Sequence, residues 1–534
     1  MKILFSYPPL DTSKGFPTLG QNRQFQYFSE PTFIYPVVPA IAATGLRDAG
    51  HEVLWNDCLA EGICREEYFK LLEREKPDLI IFETKTPVIK EHWQLIDEIK
   101  RLPFTAHRSP LTVLLGDHVT ALPEESMQNS QVDFVLTGGD YDFLLRNLCE
   151  SLEPENPPFD SAPFDFAQGL RQDLRQSPIL RQAQHMFPNT SASSAHVPQS
   201  LEPGIWYRES GTIKTTGSFK LDHDLDQAPS IDRQLTKWEL YAYKNGNYRQ
   251  TPGTYIMSGR DCWWGKCTFC SWPQLYPKFR VRSVNNVLDE IGMIIKKYPV
   301  REIMDDTGTF PRGEWLRSFC RGVIQRGYHH KIGFDCNFRF GAADFDDYRL
   351  MKQAGLRFLL FGLESGNQET LDRLNKNLRV ETIIESCRMA RKAGLFPHIT
   401  IMFGYPWENY EQARNTLKLG KYLLKKGYAY TMQATVVVPY PRTPLYEECL
   451  EKDWLLTSDW ADFDMKQPVM KTPFPEKDLM KLVQGMYSIA YDPVFLARKM
   501  LSIRDWADIQ FFLRAGKKVF GHIRDFKSEE NRKD

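Results

Sequence analysis

The sequence of 534 residues lacks several features that would quickly assign it to a functional class. It has no net charge, because 68 Lys and Arg balance 68 Asp and Glu. Such a balance gives no electrostatic reason to expect a nucleic-acid partner. No apolar run reaches the ~20 residues that a bilayer-spanning helix needs, and the opening MKILFSYPPL is too short for a signal peptide. We therefore expect a cytoplasmic protein with no transmembrane segment and no nucleic-acid partner.

Cysteine is scarce and unevenly placed. The chain has ten cysteines, and in a reducing compartment we do not expect them to form a disulfide set. Three of them, Cys262, Cys267 and Cys270, lie close together in GRDCWWGKCTFCSW, residues 259–272. The others are scattered singly and are typical of small buried apolar residues: Cys58, Cys64, Cys149, Cys320, Cys336, Cys387 and Cys449.

The cysteine triplet has no fourth ligand nearby. A structural zinc site normally takes four Cys or His ligands, and His223, His329 and His330 show no finger-like spacing to the triplet. Three thiolates on one loop instead suit a 4Fe–4S cluster with one iron left open. Such an iron can bind a small molecule through an amine and a carboxylate. A zinc site and three unrelated cysteines are the weaker alternatives.

Residues 1–150 alternate short apolar runs with helical stretches, which predicts a doubly wound parallel sheet. The predicted strands are 2–7, 52–55, 78–82, 111–115 and 133–136. No GxGxxG follows the first strand, so a dinucleotide site is not expected. Ligands of such sheets lie beyond the carboxyl ends of the strands. The loops there contain Pro8, Thr84, Gly116, Asp117, His118, Gly138 and Gly139. These glycines would let a large flat ligand approach the backbone, or they merely serve tight turns.

The stretch 151–203 has a different composition, rich in Pro, Gln, Ser and Ala, and LRQ occurs in it three times. No apolar period is sustained, which predicts a linker or insertion. A segment that docks a partner is the alternative. The following GIWYRESGTIKTTGSF is typical of a hairpin.

Strand and helix signals alternate again in residues 204–450, which include a lead-in segment. The strands are predicted at 254–258, 301–304, 333–337, 357–361, 398–403 and 433–438. This pattern predicts a partial (β/α)6 barrel of the TIM type, with its chemistry at the carboxyl ends of the strands. The cysteine loop follows the first strand and so lies at that end. Residues 451–534 are helical and aromatic; we expect them to pack on the barrel and close the substrate side rather than lie on a membrane surface.

These motifs resemble those of the radical S-adenosylmethionine (SAM) superfamily. The cysteine loop, with Phe269 before its third cysteine, resembles the signature; the first gap is one residue longer than usual, and Gly265 could absorb the extra residue. Four further stretches resemble strand motifs of cobalamin-type members: REIMDDTGTF, LLFGLESGNQETLDRLNK, MFGYPWEN and VPYPRTPLYEE. Residues 1–150 resemble the cobalamin-binding domain found ahead of many such barrels, through KILFSYPPL, PAIAATGLRDAGHEV, KPDLIIFETKT and LLGDHVTALPEE. They lack the Asp-x-His-x-x-Gly that supplies a histidine to cobalt in other cobalamin proteins.

The resemblance implies a 4Fe–4S cluster on Cys262, Cys267 and Cys270, together with SAM and cobalamin. An external donor such as flavodoxin or ferredoxin would reduce the cluster, and SAM would then yield a 5′-deoxyadenosyl radical. SAM contacts are implied for Phe269, Asp305, Asp306, Arg339, Glu364 and Ser365. Each polar one among them could instead serve a structural ion pair. Cobalamin contacts are implied for Pro8, Thr84, Gly116, Asp117, His118, Gly138 and Gly139.

The leading hypothesis is a cobalamin-dependent radical SAM enzyme that transfers a methyl group to an unactivated carbon. Its substrate would be a small molecule, a lipid or another natural product. Cyclisation or rearrangement without methyl transfer is the first alternative, and a non-catalytic iron–sulfur protein is the second. We predict no particular catalytic residue, because substrate pockets are built from loops that follow no general code.

Overall fold

The computed structural model describes residues 1–19, 25–102, 109–152 and 201–525. The predicted linker or insertion at 151–203 lies almost entirely outside the described residues, and so do residues 526–534. Within the described ranges, no helix is both long and apolar enough to cross a membrane.

The N-terminal part forms the predicted parallel sheet. Its strands are β1 (Lys2–Tyr7), β2 (Phe16–Pro17), β3 (Tyr27–Phe28), β4 (Glu52–Asp57), β5 (Leu79–Thr84), β6 (Leu111–Gly116) and β7 (Phe134–Leu136). The short β2 and β3 pair only with each other, and the others run in the order β4-β1-β5-β6-β7. Every residue of β5 is buried, as expected for a strand covered on both faces.

Helices cover both faces of this sheet: α1 (Val37–Asp48), α2 (Cys58–Glu61), α3 (Arg65–Glu75), α4 (Ile89–Arg101), α5 (Asp117–Ala121), α6 (Pro123–Asn129) and α7 (Tyr141–Leu152). Gly50 follows α1 with φ +97°, a left-handed conformation that commonly ends a helix.

The predicted hairpin forms β8 (Ile205–Glu209) and β9 (Thr212–Thr215). Strand β8 pairs antiparallel with β7, so the hairpin extends the first sheet rather than leading into the barrel. The sheet therefore resumes after residues 153–200, with an antiparallel edge that sequence alone did not assign to it.

The second sheet is the partial barrel. Its strands β10 (Gly253–Ile256), β13 (Glu302–Asp305), β14 (Gly333–Phe338), β15 (Leu356–Glu364), β16 (Phe396–Phe403) and β17 (Thr431–Val436) run parallel in chain order. The two-residue strands β11 (Gly259–Arg260) and β12 (Arg280–Val281) bracket the cysteine loop and pair with each other. All six predicted barrel strands are confirmed, with shifts of a few residues at their ends.

The helices of the second half are α8 (Trp272–Leu275), α9 (Val284–Lys297), α10 (Glu314–Gln325), α11 (Phe345–Gln353), α12 (Gln368–Arg373), α13 (Val380–Lys392), α14 (Tyr410–Lys425), α15 (Pro444–Glu451), α16 (Glu476–Tyr487), α17 (Pro493–Leu501) and α18 (Trp506–Asp525). Helix α16 packs on α14 and β17, as expected for a tail that covers the barrel. Helices α17 and α18 lie instead beside the amino ends of the strands, where Phe511 stacks on Tyr430 just ahead of β17. The expectation that the tail closes the cysteine end is therefore not met by these two helices.

Candidate functional site

A cavity of about 240 Å³ lies at the carboxyl end of the barrel. All three clustered cysteines, Cys262, Cys267 and Cys270, line it. Much of the remaining wall comes from residues at or beyond the ends of the strands, including Asp306, Asn337, Arg339, Glu364 and Met402, and residues within strands, such as Thr400, complete it. One cavity thus brings together side chains that are distant in the sequence, at the edge where barrel chemistry is expected.

The cysteine loop is held against the barrel by local contacts. Gly265 adopts φ +58°, a conformation that favours glycine, and so absorbs the extra residue of the first gap. Cys262 Sγ lies 3.1 Å from Thr309 Oγ1, and the indole of Trp264 donates to the Asn375 carbonyl at 2.8 Å. The loop therefore has a defined path that turns its thiols toward the cavity.

The thiols fit a polynuclear cluster better than a single ion. In the described part of the chain, no three Cys, His, Asp or Glu side chains are arranged to hold one metal ion. Three thiols around a cavity leave room for a larger iron–sulfur group. Burial raises the pKa of the Cys267 thiol, while the nearby cations of Lys376 and Arg339 oppose that rise.

Cations and indole rings form the outer side of the loop. The Arg339 guanidinium lies 4.7 Å from the Trp264 ring centroid, and that of Arg312 lies 4.0 Å from the Trp263 ring. Such contacts fix a cation over an apolar surface and exclude water from it. Burial lowers the pKa of Arg339, although a guanidinium stays charged at any physiological pH. Arg339 can thus present a cation to a carboxylate in the cavity.

An ion pair lies inside the cavity wall at the end of β15. Lys376 donates from Nζ to Glu364 Oε1 and to the Gly362 carbonyl, both at 2.9 Å. A Cβ at Gly362 would lie 2.2 Å from Glu364 Oε1, so only glycine leaves space for the pair. The second carboxylate oxygen, Glu364 Oε2, is buried without a hydrogen-bond partner among the described residues. It can accept from a ligand hydroxyl or ammonium group, which fits SAM.

Two of the residues implied for SAM do not line the cavity. Asp305 accepts hydrogen bonds from Ser258 Oγ and the Thr307 backbone, which joins the ends of neighbouring strands. Ser365 donates to Glu408 Oε1 at 2.7 Å. Phe269, Asp306, Arg339 and Glu364 do reach the cavity. In the pair 305–306, Asp306 lines the cavity and Asp305 bonds to neighbouring strand ends. In the pair 364–365, Glu364 lines the cavity and Ser365 bonds to Glu408.

Sequence reasoning missed several wall residues. Lys376 lies within LLFGLESGNQETLDRLNK, yet only the fold shows that it returns to β15. Asn337 lies at the end of β14 and donates to the Thr307 carbonyl at 3.1 Å. Gln433 and Tyr440 come from β17 and the loop after it. Polar residues near the strand ends were the available signal. Nothing in the sequence distinguished the four residues that line the cavity from neighbouring polar residues that do not.

The residues implied for cobalamin lie elsewhere, at the carboxyl edge of the first sheet. None of the seven lines the cavity of the cysteines. His118 is fully buried, with Nε2 3.0 Å from Glu125 and Nδ1 3.3 Å from Thr86. Thr84 lies 3.1 Å from His92 Nδ1, and a Cβ at Gly116 would lie 2.4 Å from the Thr84 carbonyl oxygen. These residues therefore contact one another rather than an open space.

The two predicted glycines are covered by aromatic rings. A Cβ at Gly139 would lie 1.8 Å from the Tyr276 ring, and one at Gly138 would lie 2.5 Å from the Phe219 ring. Tyr276 also donates to the Gly139 carbonyl at 3.1 Å and stacks on Trp272 at 5.5 Å. The space beside the backbone of these glycines is thus occupied by the protein's own side chains, Tyr276 and Phe219.

Charged residues complete this contact between the first sheet and the barrel. Arg260 donates to both oxygens of Asp142, at 2.8 and 2.7 Å, and Arg280 donates to both oxygens of Asp140. Burial alone would raise the pKa of Asp140, but a hydrogen bond from His223 and the two guanidiniums hold that pKa below its usual range. We call this contact, formed by Gly138–Asp142 with Arg260, Tyr276 and Arg280, the seam. In this arrangement its residues do not form an open cradle for a corrin.

A parallel barrel with three thiols on the loop after its first strand is the arrangement expected of an iron–sulfur enzyme that cleaves SAM. Residues 256–420 match the Radical SAM superfamily. The match covers most of the barrel and identifies it as a radical SAM domain.

Most of the chain is similar to two curated proteins. It is 24% identical to the "Uncharacterized methyltransferase PH0819" of Pyrococcus horikoshii over 92% of both chains. It is 23% identical to the anaerobic magnesium-protoporphyrin IX monomethyl ester cyclase of Cereibacter sphaeroides, over 82% of this chain but only 63% of the cyclase.

Two solved structures share the fold. The radical SAM methyltransferase TsrM of Kitasatospora setae, with cobalamin and a [4Fe-4S] cluster bound, superposes with a TM-score of 0.59 at 15% identity, covering 84% of this chain and 78% of TsrM. The cobalamin-dependent radical SAM enzyme OxsB superposes with a TM-score of 0.63 at 14% identity, covering 98% of this chain and 71% of OxsB. The order of a doubly wound sheet, a partial barrel and a helical tail is thus that of cobalamin-dependent radical SAM enzymes.

Proposed function

We propose that this radical SAM enzyme transfers a methyl group to an unactivated carbon of its substrate. The observation that carries the proposal is the single cavity in which Cys262, Cys267 and Cys270 face Arg339 and Glu364. A 4Fe–4S cluster bound there would supply the electron that cleaves SAM. An external donor such as flavodoxin or ferredoxin is part of the proposal.

The chain's own residues have distinct tasks in this scheme. Arg339 presents its cation to the methionine carboxylate, and Glu364 offers its free oxygen to an ammonium or ribose hydroxyl group. Lys376 holds Glu364 in position through its hydrogen bond and ion pair to Oε1. Trp263, Trp264 and Phe269 exclude water, which protects a radical from side reactions.

Methyl transfer is supported by the relatives, of which PH0819 is named a methyltransferase and TsrM is titled one. Cobalamin is the proposed second cofactor, because the fold matches proteins with cobalamin bound. The seam has a direct bearing on this part of the proposal. A corrin at the carboxyl edge of the first sheet requires Tyr276 and Phe219 to leave the spaces beside Gly138 and Gly139.

The closed seam supports the alternative function, radical cyclisation or rearrangement without methyl transfer. Radical cyclisation or rearrangement needs the cluster and SAM but no corrin, and a relative over 82% of this chain is named a cyclase. That reaction class would leave the seam as a structural contact between the two sheets.

Anaerobic purification from cells supplied with cobalamin, followed by cofactor analysis, tests the proposal. We expect about four irons per chain, bound cobalamin, and reductive cleavage of SAM to methionine and 5′-deoxyadenosine. Label from the methyl group of SAM should then appear on cobalt. Cleavage of SAM without bound cobalamin would replace methyl transfer with the cyclisation or rearrangement alternative. Absence of SAM cleavage by fully reconstituted protein would reject both.

A further inference from the structure

A second cavity, of about 530 Å³, lies at the opposite end of the barrel. Its wall includes Phe358, His398 and Thr431 near the amino ends of β15, β16 and β17. Helices α17 and α18 and the segment at residues 28–34 enclose its other sides. Side chains ordinarily fill the interior of a barrel of this type, so a space of this size within the ligand-pocket range of roughly 300–1,000 Å³ indicates a binding site.

This second cavity adjoins the cavity of the cysteines. Four residues, Ile34, Asn247, His398 and Gln433, line both. Along β15, Phe358 lines the second cavity, while Leu360, Gly362 and Glu364 line the first. These alternate residues point to one face of the strand and span about 20 Å at ~3.3 Å per residue. The two cavities thus lie end to end along the barrel, and we refer to the pair as the passage.

The passage changes in character along its length. The second cavity is lined mainly by aromatic and aliphatic side chains, among them Phe28, Tyr487, Ile489, Phe495 and Phe512. Its lining cations, Lys499 and Arg514, are already engaged. Lys499 Nζ lies 3.5 Å from the Tyr430 ring centroid, and Arg514 donates to the carbonyls of Tyr248 and Arg249. This end therefore suits hydrocarbon rather than a charged group.

The neck between the cavities is polar but uncharged. His398 Nδ1 lies 2.9 Å from Thr431 Oγ1, and its enclosure lowers the pKa of the imidazole to about 3, so the ring is neutral. Gln433 donates to Gln26 Oε1 at 3.0 Å. A neutral polar neck separates the apolar space from the charged residues that surround the thiols.

Helices α17 and α18, which contribute to the wall of the second cavity, also carry exposed apolar side chains. On and between helices α17 and α18, Met500, Leu501, Trp506 and Leu513 are 66–86% exposed. Such a group of large apolar side chains is unusual on a protein surface and marks a place where apolar molecules bind. It gives a lipophilic ligand a route to the second cavity.

We propose that the substrate is a lipophilic molecule with an extended hydrocarbon chain, which lies in the second cavity while its reacting carbon lies in the first. The inference rests on the proposed function, because the reacting end is defined by the cluster and SAM. It adds the class of substrate, and it assigns α17 and α18 to substrate binding.

The test uses the full chain with its cluster and the neutral, elongated probe diphenylhexatriene, which fluoresces only in apolar surroundings. We expect saturable binding of one probe per chain, displaced by hexadecanol but not by hexanol. Ala515→Trp and Ala490→Trp each place a large ring in the second cavity and should weaken binding at least about tenfold. Two positions on different segments guard against a single misfolded variant, and unchanged iron content confirms folding of each.

Ala497→Trp is the matched control. Ala497 lies on α17 and is exposed but does not line the second cavity, so its replacement should leave probe affinity within about twofold of wild type. Wild-type protein that shows no saturable binding would overturn the inference. Probe binding that both lining variants retain would overturn it as well, because the site would then lie elsewhere.

Failure of this inference is distinguishable from failure of the proposed function. If the protein cleaves SAM but binds neither the probe nor hexadecanol, its radical chemistry is supported and the lipophilic substrate is rejected. A chain that binds the probe in the second cavity but never cleaves SAM loses the proposed function, and the cavity is then a lipid site without that chemistry.

Discussion

The molecule contains two parallel sheets that differ at the carboxyl ends of their strands. One edge surrounds a cavity, and the other is covered by side chains. At the barrel, the strand ends surround a cavity of about 240 Å³ that three thiols line. At the first sheet, the corresponding edge is filled, with Tyr276 against Gly139 and Arg260 on Asp142. Sheet topology predicts ligand sites at both edges. The side chains that cross from one unit to the other decide which edge is open.

Glycine at a strand end has different neighbours at the two edges. Glycine at a strand end permits close approach of the backbone, but it does not determine what approaches. At Gly362 the freed space is taken by Glu364 and Lys376, and at Gly139 it is taken by Tyr276. A glycine-rich loop therefore predicts close packing more securely than it predicts a ligand.

The largest expected effect concerns the open edge. Replacing Cys262, Cys267 and Cys270 together with Ala should remove about four irons per chain and the broad visible absorbance of the reconstituted protein. SAM cleavage should disappear with them, because no other residue supplies the thiolates. Iron and sulfide analysis with absorbance spectroscopy measures the loss.

Cys320→Ala is the matched control for the triple variant. Cys320 is buried on α10, and its pKa is raised to about 12 chiefly by burial. It does not line the cavity of the clustered cysteines, so the control should keep its full iron content. A triple variant with wild-type iron and SAM cleavage would contradict the assignment of the open edge.

The ion pair in the wall of the same cavity should give the next largest effect. Lys376→Met leaves the buried Glu364 carboxylate without its cation, and breaking such a pair costs roughly 3–5 kcal/mol. We expect a lower free energy of unfolding and weaker SAM binding. Adding Glu364→Gln removes the stranded charge and should restore much of the stability but not the SAM affinity. A change below about 0.5 kcal/mol in the single variant would show that the pair is not coupled in this way.

A third prediction addresses the closed edge. If a corrin enters by displacing Tyr276, its binding must disrupt the stacking on Trp272, which is worth about 0.5–1.5 kcal/mol. Tyr276→Ala should then bind hydroxocobalamin roughly 2- to 10-fold more tightly than wild type, measured by absorbance titration. Tyr298→Ala removes a comparable ring, packed on Trp238 away from the seam, and should leave affinity unchanged. Equal affinities for all three proteins would place the corrin elsewhere.

The smallest expected effect is a pH dependence within the seam. The hydrogen bond to Asp140 is the largest cause that raises the pKa of His223. A raised pKa means that the stabilisation is fully present below the ordinary value of about 6.5 and is lost as pH rises through the folded-state value. His223→Gln should therefore cost roughly 1.5 kcal/mol at pH 6 and progressively less above neutrality. Thermal unfolding of both proteins across this range measures the difference, and a constant gap would contradict the assignment.

Much of the fold follows from local patterns in the sequence. The barrel strands were predicted because each is a short apolar run between helical stretches. A cluster site was predicted because three cysteines share one loop. The sequence suggests that Gly265 could absorb the extra residue before Cys267, and the φ of +58° at that position is compatible with this role.

The orientation of side chains at the strand ends could not be predicted in the same way. The pairing of β15 with β16 shifts between Gly362 and Glu364, and Glu364 has φ +64°. Alternation along β15 still places Glu364 on the cavity face with Gly362, and Ser365 instead contacts Glu408. Neither the register shift nor the positive φ has a signal in the sequence. The contact of Tyr276 with Gly139 joins residues far apart in the sequence, and no local pattern signals it.

The hairpin β8–β9 has a consequence for how the chain tolerates change in length. Asn147 on α7 accepts a hydrogen bond from the Glu202 backbone at 2.8 Å. The chain leaves the described structure after Leu152, five residues further along the same helix, or about 8 Å at 1.5 Å per residue. A bridge of about three residues could span that distance. A connection of that length would leave the hydrogen bond between Asn147 and Glu202 in place, which makes this position a natural one for grafting or deleting sequence.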